Sequence, residues 1–149
     1  MSDGIKDFIS FFLENKIPSV LEQTLSDLTL GLVIVYNVAK LPEAVFHAFV
    51  LGLLANLRNV YEIRSNVEAG YGRADILMIP KTRTYSIGYI IEFKSVKREE
   101  DEDKASTAGL VQIKDNEYMA ALLNAGVPGE RIVKLTVTLK GKRVTVHKE

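Results

Sequence analysis

The chain has 149 residues, no cysteine, and 19 basic against 19 acidic side chains, so its formal net charge is zero. That length fits one domain whose core needs no covalent staple, and the missing cysteines exclude a disulfide framework and any thiolate-held zinc or iron–sulfur centre. Nucleic-acid binders usually carry a basic excess, so the charge balance speaks against tight, unaided binding to DNA.

Ile5, Phe8, Ile9, Phe12 and Leu13 recur at helical spacing and predict an amphipathic first helix, ended by Asn15 and Lys16. Pro18 stands near the start of a second helix running to about Leu28. Thr29 to Ala39 is apolar and partly β-branched, and fits a helix or a strand equally well. From Pro42 to Leu57 the pattern is helical again, with Pro42 and Glu43 in a favourable first turn. Tyr61 to Glu68 alternates apolar and polar residues, as a half-buried strand does. Gly70-Tyr71-Gly72 turns into a second strand, Ala74 to Ile79, and Pro80-Lys81-Thr82-Arg83-Thr84 makes the next turn. Ile87 to Val96 is a third, strongly apolar strand.

Lys97 to Asp103 reads as a solvated loop, with Asp101 or Asp103 placed to cap a helix that lasts to about Asn124. Gly126 and Pro128 stop that helix. Ile132 to Leu139 and Arg143 to His147 are two last strands, joined through Lys140-Gly141-Lys142. The order predicts an α/β fold: a mixed central sheet of about five strands flanked by helices, with at least one crossover. Residues 1–40 would be a helical extension, and 41–149 an αβββαββ core.

No membrane segment is expected. Leu28 to Ala39 is too short to span a bilayer, and Leu41 to Leu57 contains Glu43, His47 and Asn56. Met1-Ser2-Asp3-Gly4 shows no basic region of a signal peptide, so a cytoplasmic location is expected. Phe8, Phe11, Phe12, Val33, Ile34 and Val35 offer more apolar surface than one small sheet covers, which predicts a homodimer.

The informative feature is a misfit. The strand Tyr89 to Val96 is apolar on both sides, as a central strand should be, except at Glu92 and Lys94. Residues two apart share a face, so these charges stand side by side. A hairpin turn centred between Arg83 and Thr84 pairs residues whose numbers sum to 167, and Asp75 with Glu92 meets that condition. Such cross-strand partners hold their Cβ atoms roughly 4.5–5.5 Å apart. Two facing carboxylates on a half-buried sheet are destabilising unless something neutralises them. A divalent cation would, with Lys94 completing the balance, and magnesium suits a site that leaves positions for water and phosphate oxygens. A buried lysine beside two acids would also keep its charge. The bland alternative is a structural ion-pair cluster within the sheet.

At these residues the sequence resembles a known family. Gly72-Arg73-Ala74-Asp75-Ile76 followed by Tyr89-Ile90-Ile91-Glu92-Phe93-Lys94 matches the signature of the PD-(D/E)XK nuclease superfamily. The likeness is closest to the nuclease-like domain at the C-terminus of bacterial and archaeal AAA-ATPase-like proteins. Glu43-Ala44-Val45-Phe46-His47, Ser65-Asn66-Val67-Glu68, Gln112-Ile113 with Tyr118, and Lys140-Gly141-Lys142-Arg143-Val144 extend it over roughly residues 42 to 147. Two positions depart from the pattern: Ala74 stands where proline is usual, and Asn116 where the helix motif usually carries lysine. The relatives' ATPase module is not part of this chain, which leaves a stand-alone domain or a piece of a longer one.

The resemblance implies a restriction-endonuclease-like fold and a Mg²⁺-dependent endonuclease acting on DNA, with Mn²⁺ as a substitute. Asp75 and Glu92 would hold the metal with the Phe93 carbonyl, and Glu43 would add an acidic contact. Lys94 would orient the attacking water or stabilise phosphorane charge, and Gln112 would orient a ligand. The competing class is a weakly active or inactive accessory or dimerisation domain on the same fold, linked to a larger ATPase system. Glu43 and His47 lie four apart on one helix face and either serve the site or bond each other. Glu68 and Arg73 read first as a cross-hairpin pair. Gly70 and Gly72 are turn glycines, and His47 and His147 are too few and too separated for a zinc centre.

Overall fold

The computed structural model describes residues 3–15, 17–36, 43–68, 73–95, 116–140 and 143–149. In chain order they form α1 (Asp3–Glu14), α2 (Pro18–Tyr36), α3 (Glu43–Leu54) with a 3₁₀ turn (Ala55–Leu57), β1 (Tyr61–Glu68), β2 (Arg73–Pro80), β3 (Gly88–Ser95), α4 (residues 116–124), β4 (Ile132–Lys140) and β5 (Arg143–Lys148). One sheet takes the order β1-β2-β3-β4-β5. Its neighbours are antiparallel except β3 and β4, which run parallel. A parallel neighbour needs a crossover rather than a tight turn, and α4 lies on that connection. This is the mixed five-stranded sheet flanked by helices that the element order predicts.

Alternation sends the two faces of the sheet to different partners. Ile76, Met78, Tyr89, Ile91, Phe93, Leu135 and Val137 belong to the core beneath α1, α2 and α3. On the opposite face Leu77, Ile79 and Ile90 pack against Leu122 and Val127, from α4 and the segment after it. Gly88 lets α4 sit this close, because a Cβ there would lie 2.7 Å from Leu122 Cδ2. Gly126, at φ 92°, then ends the helix in the left-handed region, and Val127 N donates to the Leu122 carbonyl at 3.0 Å.

The N-terminal helices are fastened to the sheet. Phe8, Phe11 and Phe12 are at most 2% exposed, and Phe12 meets Tyr89 edge-on with ring centroids 5.0 Å apart. The Tyr89 hydroxyl donates to the Phe12 carbonyl at 3.1 Å, and Tyr61 donates to the Ile87 carbonyl at 2.8 Å. Burial pushes the Tyr61 hydroxyl up to about 12, while burial and then the nearby Tyr61 hold Tyr89 higher still. Both therefore stay protonated donors. Ser26 Oγ donates to the Val144 carbonyl at 3.3 Å, and Glu22 Oε2 accepts from Val146 N at 2.9 Å, tying α2 to β5.

One expectation needs correction. The second helix does not stop near Leu28 but continues to Tyr36, and its buried stripe of Leu21, Leu25 and Thr29 crosses the expected end at helical spacing. The case for a homodimer loses Phe8, Phe11 and Phe12, which cover the chain's own sheet; the side chains of Val33, Ile34 and Val35 lie outside the described residues. His47 Nε2 lies 3.3 Å from Ser65 Oγ and its ring stands edge-on to Phe93, while the side chain of Glu43 lies outside the described residues. The loop Lys97 to Asp103 and its capping aspartates also lie outside the described residues. No described helix is long and apolar enough to cross a membrane.

His47 is 6% exposed and burial lowers its pKa, so it is held neutral where an unfolded chain would take up a proton. Below about pH 6.5 the unfolded state binds the extra proton, and stability falls as the pH drops. Melting curves between pH 7.5 and 5.5 should therefore show a smaller acid-side loss for His47→Gln than for the wild type.

Candidate active site

Asp75 on β2 and Glu92 on β3 are direct register partners. That is the pairing in which residue numbers sum to 167. Each residue is only 2% exposed. Alternation puts both on the α4 face, one step along from Leu77 and Ile90, where the apolar patch beneath α4 gives way to polar groups. Tyr118, near the start of the described helix, donates its hydroxyl to Asp75 Oδ2 at 3.3 Å. The seat that Gly88 provides for α4 thus also brings this donor to the acid.

Glu92 has its own neighbour across the parallel ladder. Ile90 pairs with Lys134 and Glu92 with Thr136, so Lys134 sits diagonally from the acid on the same face. Its Nζ lies 3.7 Å from Glu92 Oε1 and 3.3 Å from Glu149 Oε2, with the lysine side chain 24% exposed. Sequence reasoning missed Lys134. Its one local signal is a cation amid the alternating buried positions of β4, Val133, Leu135, Val137 and Leu139. Its neighbour on β3 is fixed only by the parallel register, which no hairpin rule supplies.

The other expected groups divide. Lys94 shares the face of Glu92 and pairs with Arg73, but it is exposed rather than buried, being one row farther from the patch under α4. Phe93 turns its ring to the opposite face, against Phe46 and His47. His47 therefore belongs to the core on the far side of the sheet, away from the two acids. Glu68 and Arg73 are backbone register partners, their side chains lying outside the described residues with that of Glu43. Gln112 lies outside them as well.

Two buried carboxylates face each other across β2 and β3, with one partly exposed lysine and one neutral hydroxyl among their neighbours. Their oxygens are hard donors on adjacent rigid strands, a donor set that fits a small divalent cation. Among the described residues no group of three or more acid or histidine side chains converges. Further positions on such an ion are open to water, backbone or substrate oxygens and to side chains outside the described residues.

A model of the PD-(D/E)XK nuclease superfamily matches residues 41–149, a span that takes in α3, all five strands, α4 and both buried acids. No curated protein and no solved structure matches the chain. The mixed sheet with helices on both faces is the restriction-endonuclease-like arrangement. The chain belongs to the PD-(D/E)XK nuclease superfamily.

Proposed function

We propose that this protein is a Mg²⁺-dependent phosphodiesterase that cleaves DNA as an endonuclease, with Mn²⁺ able to substitute. The observation that carries the reading is the direct pairing of Asp75 with Glu92 at 2% exposure each. Asp75 and Glu92 would hold the metal, with the Phe93 carbonyl as a further oxygen donor. When bound, the cation lowers the pKa of water to yield a nucleophile and offsets charge on the scissile phosphate.

The remaining work falls to the chain's own side chains. Lys94, exposed beside Glu92, can reach a large substrate arriving from solvent; it holds the water in line or stabilises charge gathering on the phosphate. Gln112 orients a ligand from the flank. Tyr118 fixes the Asp75 carboxylate through its hydrogen bond. Tyr118→Phe should weaken divalent-ion binding by about tenfold, the usual scale for losing a partner that orients a ligand. Calorimetric titration with Mn²⁺ checks this; affinity equal to wild type would deny the tyrosine that role.

The assay is direct. Plasmid, linear, flapped and four-way DNA are incubated with Mg²⁺ or Mn²⁺ and wild type, Asp75→Ala or Lys94→Ala protein. Cleavage by the wild type alone is expected. Equal cleavage by all three, or none by any, overturns the reading.

A further inference from the structure

We propose that Lys134 is the resident counter-cation of the site: it holds Glu92's charge before a divalent ion arrives, and so sets how tightly the site takes that ion. The proposal rests on reading Asp75 and Glu92 as a metal centre. Three observations support it. Lys134 Nζ lies 3.7 Å from Glu92 Oε1, close enough to neutralise an acid that is only 2% exposed. The lysine is anchored on β4, diagonal to Glu92 in the parallel ladder, so its charge remains near the acid whatever else is bound. Its side chain is 24% exposed, and Glu149 Oε2 stands 3.3 Å away on its other side. The ammonium thus has a second carboxylate to turn to when a divalent ion takes Glu92.

Lys134 and Lys94 therefore do different work. Along the ladder they flank Glu92 on opposite sides, Lys134 beside Ile90 and the patch under α4, Lys94 in the outer row with Arg73. Lys94 is placed for substrate, while Lys134 competes with the metal. A positive charge close to a ligand weakens cation binding, and the effect is large where water is scarce. A site with this competitor stays neutralised at low divalent-ion concentration and gives up affinity for that steadiness.

The test is a calorimetric titration of Ca²⁺, which binds oxygen sites without need of substrate, into wild type, Lys134→Gln and Lys134→Arg protein. Lys134→Gln should bind Ca²⁺ about tenfold more tightly than wild type, equal to about 1.4 kcal/mol. Lys134→Arg, which keeps the charge and the fold, should bind no more tightly than wild type. The proposal is overturned if Lys134→Gln binds equally or more weakly. Should Lys134→Gln not fold without metal, its recovery in millimolar Ca²⁺ counts for the proposal and its failure to recover counts against. A wild type that binds no Ca²⁺ through Asp75 and Glu92 instead removes the metal-centre reading itself.

Discussion

Asp75→Asn is expected to abolish metal-dependent cleavage and yet to raise the melting temperature of the metal-free protein. The substitution keeps the size of the side chain and an oxygen that can still accept from Tyr118 Oη, but it removes one of two charges that face each other across β2 and β3. Like charges directly opposite on a sheet are destabilising, and more so where burial weakens screening. A gain of about 1 kcal/mol corresponds to roughly 2–5 °C in a domain of this size. Activity should fall at least about a thousandfold, since the cation supplies both the nucleophile and the charge stabilisation. The two readouts together separate the metal centre from an ion-pair cluster. If the acids merely served the fold, Asp75→Asn would lower the melting temperature in EDTA; scanning calorimetry in EDTA decides.

Phe12→Ala should be the most damaging single truncation in the N-terminal helices. Phe12 is 2% exposed and meets Phe8, Phe11 and Tyr89 at centroid distances of 5.3, 5.0 and 5.0 Å. Removing a buried phenylalanine ring typically costs about 3–5 kcal/mol, because transfer and cavity terms add. The melting temperature should drop by about 10 °C or more in a single transition. Residues 1–40 would then be a working part of the core, although the family match begins at residue 41. A change of only one or two degrees would mean that the helices are a dispensable cover.

The sequence exposes the site more fully than it exposes the packing around it. Asp75 and Glu92 can be matched because a hairpin is a local object: one turn between Arg83 and Thr84 fixes every pair along both strands. Lys134 cannot be found in the same way. Its distance from Glu92 depends on β4 returning parallel to β3 after a crossover, and nothing near residue 134 fixes that register. Alternation puts Lys94 on the correct face but wrongly suggests burial, since it gives direction and not depth. The apolar run after Leu28 fits either secondary structure by composition, and in the structure α2 continues through it to Tyr36. The phenylalanines of α1 read as surplus apolar surface because the partner of Phe12, Tyr89, lies 77 residues away in the chain.

The central claim is that Asp75 and Glu92 together bind one divalent cation. Titrating Mg²⁺ by calorimetry into wild type, Asp75→Asn and Glu92→Gln protein tests it most directly. The account predicts one saturable site in the wild type that is lost in both variants, with all three chains folded. Binding that survives both substitutions, or a wild type that takes up no Mg²⁺, would contradict it.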